Sequence, residues 1–187
     1  TQFDTYSLES APDKSKDVLE TVNRAYAFVP TLLGTIALAP ALAEAYLAIG
    51  KLFGKTSFSE TERQVISLSV SRTNGCEYCV SAHSTIAKKS KVDADVIDAI
   101  RDGNVSDDQK RESLRRFATT LVDKRGWLDD GDIDAFLDAG YGRQQVLEVV
   151  LGVAMKTMSN YTNHIAATPL DDAFSASEWH APESRVA

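Results

Sequence analysis

The 187-residue chain is short of several things at once, and each shortage narrows what the molecule can be. Basic residues (20) are outnumbered by acidic ones (27), giving a net charge of −7. No cationic stripe is available to neutralise phosphates, so no nucleic-acid partner is expected. Alternating apolar and polar runs bounded by hairpin turns are essentially missing, which removes sheet architectures. The longest apolar stretch, TLLGTIALAPALAEAYLAIG, is interrupted by Pro40 and Glu44 and reads as two packed helices, not a membrane span. No charged segment followed by an apolar core opens the chain, so no export signal is expected and the default compartment is the cytoplasm. Only two cysteines and three histidines occur. In a reducing compartment such a pair of cysteines is more readily catalytic or metal-binding than a permanent staple.

What is present is helical. Residues 15–29 place Val18, Val22, Ala25 and Val29 on one stripe and stop at Pro30. Residues 40–53 begin with proline in the first turn and carry Leu42, Tyr46, Ile49 and Phe53. Ser59 and Glu62 form a capping box that opens a helix running to Asn74-Gly75. Cys76 to Lys89 follows, then a short helix capped by Asp93 and stopped by Gly103. A second capping box from Ser106 to Gln109 starts a helix that ends near Gly126. Asp132–Ala139 and the long apolar run 143–167 complete the pattern. The expectation is an all-α single domain over residues 1–187, with about eight helices and short connections.

Both cysteines lie in TNGCEYCVSAHST, residues 73–85, together with His83. On a helix starting after Gly75, Cys76, Cys79 and His83 fall within roughly 60° of one face. Helical side chains lean toward the N-terminus, so the i,i+4 spacing aims His83 at Cys79 as its base. Cys76 also gains thiolate character from the helix start. The two α-carbons should lie roughly 5–5.5 Å apart, within disulfide range. One thiolate can then attack an oxidant and the other resolve the sulfenic acid to a disulfide. Zinc is the rival reading. It needs four convergent ligands, which a straight helix spreads too far along its axis, and a fourth such as His164 must come from elsewhere.

The stretch ERQVISLSVSRTNGCEYCVSAHSTIAKK, residues 62–89, with its CxxCxxxH core, resembles the alkylhydroperoxidase D family within the carboxymuconolactone decarboxylase-like superfamily. MKTMSNYTNHIAATPLDDAF, residues 155–174, is similar to a peroxidase-related branch of it. The resemblance implies an all-α bundle of helical hairpins, cytoplasmic location, trimers or hexamers, and antioxidant peroxide reduction through Cys76 and Cys79 without a cofactor or metal. It also implies re-reduction by a dithiol protein or small thiol, and it makes Cys79 the peroxidatic cysteine. Where the family commonly has a relay glutamate, twelve residues before the first cysteine, this chain has Gln64. Gln64 can orient His83 but cannot take its proton at neutral pH. The family's histidine between the cysteines is Tyr78 here.

Glu62 and Glu148 are the candidate substitute carboxylates, Glu62 having a competing role as the partner of Ser59. Glu148 is a lone acid in an apolar run, where charge is costly unless paired. Glu60 and Glu77 read as solvated acids and His180 as a surface residue. His164, with Asn160 and Tyr161, is a candidate pocket wall whose ordinary role is a hydrogen-bonded core position. Besides the peroxidase, two functions fit: a decarboxylase or isomerase of a lactone acid, which would not need the two cysteines, and a non-enzymatic redox sensor or zinc module. The apolar helices at 32–53 and 143–167 exceed what one subunit needs to bury, which favours a homo-oligomer.

Overall fold

A computed structural model describes residues 3–182, so both ends of the expected domain lie outside the described residues. Nine α-helices occur among them, with two short 310 turns at Asp13–Ser15 and Asp172–Ser177 and no strand. The helices are α1 Lys16–Tyr26, α2 Thr31–Ile36, α3 Pro40–Phe53, α4 Glu60–Thr73, α5 Glu77–Lys89, α6 Ala94–Asp102, α7 Gln109–Asp123, α8 Asp130–Asp138 and α9 Arg143–Ala166. None is long and apolar enough to cross a membrane.

α4 is the central rod, packed against α5, α6, α7 and α9. Every residue from Gln64 to Ser71 is buried, so this helix has no solvent face along that stretch and shows little amphipathic pattern. Its start is the expected capping box: the Ser59 hydroxyl accepts from the Glu62 N–H, and the Glu62 carboxylate accepts from the Ser59 N–H at 2.8 Å. Its end is a Schellman turn, in which Cys76 N–H donates to Ser71 and Gly75 N–H to Arg72. Gly75 supplies the left-handed residue this turn requires, at φ 69°. The turn therefore hands the chain to α5 with Cys76 fixed at the junction.

Two apolar clusters fill the interior. In the larger, Val65, Ile66, Leu68 and Val70 of α4 meet Ile97, Leu114, Phe117, Phe136 and Val149. Phe136 stacks between Phe117 and Tyr141 at centroid distances of 4.3 and 4.4 Å. The smaller cluster joins Leu19, Val22, Leu32, Leu33 and Ile36 to Cys76, Tyr78, Cys79, Ala82 and Phe174, and Tyr46 packs against both. Gly152 brings three helices together: a Cβ there would lie 2.7 Å from Ile66 and 2.8 Å from Phe53. α3, α4 and α9 approach this closely because that position has no side chain.

Several expected boundaries move. The first helix stops at Tyr26, not at Pro30, because Ala27 turns left-handed at φ 65°; the short α2 then forms. α7 is capped by Asp108, whose carboxylate takes the Arg111 N–H at 2.9 Å, so the expected Ser106 box does not open it. Asp129 caps α8 in a box with Asp132. Losing the Ser59 cap should free first-turn N–H groups of the central helix. Ser59→Ala is expected to lower stability by about 1 kcal/mol, seen as a lower denaturation midpoint at unchanged slope.

Candidate active site

Cys76 is the N-cap of α5, and Cys79 is its third residue. Cys79 thus sits over the free N–H groups of the first turn, where an anion is favoured. Both thiols are reduced and almost wholly buried, with exposures of 1% and 2%. Facing them is one side of α9. Lys156, Ser159, Asn160 and Asn163 follow an i, i+3, i+4, i+7 spacing and are all buried. This helix is inverted along its second half: the polar stripe points inward, while Tyr161 and Ile165 are exposed.

The stripe surrounds the sulfur of Cys79. Asn163 Nδ2 donates to it at 3.2 Å and to Cys76 Sγ at 3.7 Å, and Ser159 Oγ lies 3.8 Å away. Burial pushes the Cys79 thiol up. The opposing effects of the Cys76 S–H, the Lys156 ammonium and the Ser159 and Asn160 side chains win, and Cys79 is held well below the ordinary thiol range. Cys76 moves the other way, because its S–H is held by the Cys79 sulfur and burial disfavours a second anion. A thiolate at Cys79 and a thiol at Cys76 is the arrangement that follows. For Lys156, burial acts to lower the ammonium; the Cys79 charge, with Tyr46 and Cys76, outweighs it and leaves Lys156 raised.

His83 is close by, but it does not take the direct role that the i,i+4 spacing suggests. Its Nε2 lies 2.8 Å from Lys156 Nζ and its Nδ1 3.0 Å from Gln64 Oε1. Gln64 Nε2 in turn donates to Glu60 at 2.8 Å, which fixes the amide orientation. The tautomer follows from these bonds: Nδ1–H donates to Gln64, and Nε2 accepts from the ammonium. Burial, and then the adjacent Lys156 charge, hold His83 well below its ordinary value, so the ring is neutral. The line Glu60–Gln64–His83–Lys156–Cys79 places a lysine between the imidazole and the thiol. Gln64 is thus hydrogen-bonded to both His83 and Glu60.

The other candidates separate. Tyr78 lines the cavity beside Cys79; its hydroxyl donates to Asp171 and accepts from the Leu32 N–H. Glu62 remains in its capping box and accepts from Tyr141 at 3.1 Å, so it is not a relay acid. Glu148 holds the Ser57 N–H and hydroxyl across the α3–α4 connection, away from the thiols. His164 is exposed and stacks near Tyr161, so neither is a pocket wall. Glu60 is exposed in the first turn, as a solvated acid there should be, and it also ends the hydrogen-bonded line, paired with Arg63 at 2.9 Å. With His83 turned to Gln64 and Lys156 and His164 on the surface, the zinc ligand set is not assembled. Among the described residues no three of His, Cys, Asp and Glu converge on a metal site. Lys156, Ser159 and Asn163 escaped the sequence reading. Their signal is four polar residues at helical spacing in MKTMSNYTN, the polar stretch of an otherwise apolar helix.

Cys79, His83, Lys156 and Gln64 open on a cavity of about 410 Å³, a size suited to a small molecule. Its walls are mainly apolar and aromatic, from Val22, Leu33, Tyr46, Phe53, Ile86 and Phe174, and Cys76 lies behind Cys79 outside the lining.

Residues 40–119 match the sequence profile of the carboxymuconolactone decarboxylase family. A comparison with curated protein sequences finds no match. Among solved structures, the chain is similar to an alkylhydroperoxidase AhpD core, an uncharacterised peroxidase-related protein from Ralstonia eutropha JMP134. The two superpose with TM-score 0.80 at 19% identity, over 92% of this chain and 93% of the other. It is similar at TM-score 0.80 and 20% identity, over 95% of both chains, to the debrominase Bmp8, as a cysteine-to-alanine variant in complex with 2,3,4-tribromopyrrole. An uncharacterised peroxidase-related protein from Silicibacter sp. TM1040 superposes with TM-score 0.75 at 18% identity, over 87% of each. The chain thus carries a carboxymuconolactone decarboxylase family segment at residues 40–119, which includes the dithiol helix, within the all-α alkylhydroperoxidase D-like fold.

Proposed function

We propose that the protein is a dithiol oxidoreductase that reduces organic hydroperoxides. The observation that carries this reading is the placement of Cys79 at the floor of an apolar cavity, with Asn163 Nδ2 3.2 Å from its sulfur, Lys156 hydrogen-bonded to it and the Cys76 thiol directly behind it. Cys79 Sγ attacks one peroxide oxygen, the O–O bond breaks, and the leaving alkoxide takes a proton to become an alcohol. The sulfur, oxidised by two electrons, is then a sulfenic acid. Cys76 displaces its hydroxyl, forming the Cys76–Cys79 disulfide and water. The apolar walls favour a peroxide with a hydrocarbon body over hydrogen peroxide. Because both sulfurs are buried, re-reduction is assigned to a dithiol reaching Cys79 through the same cavity.

A second reading rests on the aromatic lining, Tyr46, Tyr78 and Phe174, taken with the bromopyrrole-bound debrominase of the same fold. Here Cys79 would take bromine from an electron-rich ring while a proton replaces it on carbon. Cys76 would then displace bromide to give the same disulfide. Bromide release from a bromopyrrole, with no consumption of hydroperoxide, selects this reading over the first. Lactone decarboxylation would leave the whole thiolate arrangement without a task.

A second copy of this chain is proposed to cover the exposed apolar side chains Leu147, Val150, Tyr161 and Ile165 along α9, together with Leu52 of α3. Light scattering should then give a multiple of the chain mass, and Ile165→Glu with Tyr161→Glu should shift it toward monomer.

One equivalent of an organic hydroperoxide should remove both alkylatable thiols and lower the intact mass by about two hydrogens. Cys76→Ser should stop at a sulfenic acid, one oxygen heavier and trapped by dimedone, while Cys79→Ser should consume no peroxide. A Cys79→Ser protein with full activity would sink the proposal. The pH dependence follows from the lowered Cys79 value. The thiolate is present from alkaline pH down through neutrality and is lost only as pH falls through the folded value. Peroxide consumption should therefore stay level across neutral pH, where an ordinary thiol with pKa of about 8.5 loses about tenfold per unit, and fall only in acid.

A further inference from the structure

The dithiol chemistry above leaves one proton without a source. The alkoxide needs a proton, yet Cys79 has none to give and the Cys76 hydrogen leaves with the water formed at the second step. Lys156 is 1% exposed and shares a hydrogen bond with Cys79, and its Nζ is 2.8 Å from the neutral Nε2 of His83. It also lines the cavity where the alkoxide forms.

The geometry points to Lys156 as the general acid of the reaction and as a proton store linked to the redox state of the dithiol. This rests on the dithiol reading of the site. In the reduced protein the site holds Lys156–NH3⁺, Cys79–S⁻ and Cys76–SH. With a hydroperoxide, Cys79–S⁻, Lys156–NH3⁺ and ROOH give Cys79–SOH, ROH and Lys156–NH2; atoms and charge balance. Cys76 then closes the disulfide and water leaves. The oxidised site carries no charge, and two protons have left with two electrons.

The surroundings of Lys156 make the release of its proton the expected course. From α5 it faces Cys79 and His83, with Cys76 at the helix start and Tyr78 on the same cavity wall. From α3 it faces Tyr46, with Lys51 further along the cavity. From α4 come Gln64 and, on the same cavity wall, Glu60 and Arg63 paired with each other; from α1 comes Tyr26. Cys79 is the charge that holds the proton on Lys156 in the reduced state. A disulfide removes that charge and leaves a buried ammonium beside a neutral imidazole, with burial acting to discharge it. Re-reduction restores the thiolate and the ammonium together.

The test compares proton and electron counts and needs no peroxide, so it fails or succeeds separately from the choice of substrate. The protein is equilibrated with reduced and oxidised glutathione between about pH 6 and pH 8, below the thiol pKa of glutathione, and thiolate absorbance at 240 nm is followed alongside. The glutathione couple moves two protons with two electrons there. If Lys156 discharges, the equilibrium constant between protein and glutathione stays constant across the range while the thiolate band remains. If Lys156 keeps its proton, the constant changes tenfold per pH unit, and the proposal is overturned. A thiolate band absent from this range also overturns it. Lys156→Arg keeps the charge but cannot discharge. It should retain the thiolate band and show the tenfold dependence; a pH-independent constant in the Lys156→Arg protein contradicts the assignment.

Discussion

The structure turns on a buried charge pair, the Cys79 thiolate and the Lys156 ammonium. Either ion alone would be expensive at this depth, since removing one partner of such a pair typically costs about 3–5 kcal/mol. Together they are held by donors drawn from α9 and by the start of α5, and each keeps the other in its ionised form. The inward polar stripe of α9 exists to complete this pair. So does the neutral state of His83, which can accept from Lys156 only while it carries no proton of its own at Nε2. Gln64 and Glu60 set that tautomer from behind.

The placement of the pair explains the difference in acidity between two identical side chains. Cys76 and Cys79 are three residues apart in one turn, and sequence gives them equal standing. The Schellman turn after α4 puts Cys76 at the N-cap, behind the cavity lining, while Cys79 stands over the helix start and in reach of Lys156. The difference in acidity follows from that one-turn offset. The more acidic sulfur thus faces the cavity, and the protonated one stays behind its lining.

Much of this was legible in the chain. CxxCxxxH after Asn74-Gly75 announced a helix that gathers both thiols and His83, because every geometric term in it is local, spanning at most two turns. The Ser59 capping box was readable for the same reason, and Gln64 lies 3.0 Å from His83, at the position where the family resemblance implied a partner for the ring. The reading failed where a contact came from far along the chain. Lys156 is 73 residues from His83 and enters between it and Cys79, which no spacing rule within α5 can foresee. Glu148, a lone acid in an apolar run, and His164, in a polar run on an apolar helix, are candidates by sequence pattern alone. α9 leaves His164 exposed, and Glu148 satisfies a loop instead. Ser106 lost its cap to Asp108, two residues on, because a carboxylate was available nearer the helix.

Gly152 lies one turn before Lys156 on α9, against Ile66 and Phe53, with no room for a methyl group. The distance from α9 to its neighbours at that point sets how far the ammonium reaches toward the sulfur. The acidity of Cys79 is therefore governed partly by a volume, at a position that carries no charge and touches no substrate. Reactivity in this chain can drift by the size of a core residue as readily as by a change in the site's own chemistry. A survey of variants that looks only at ionisable groups would miss that control.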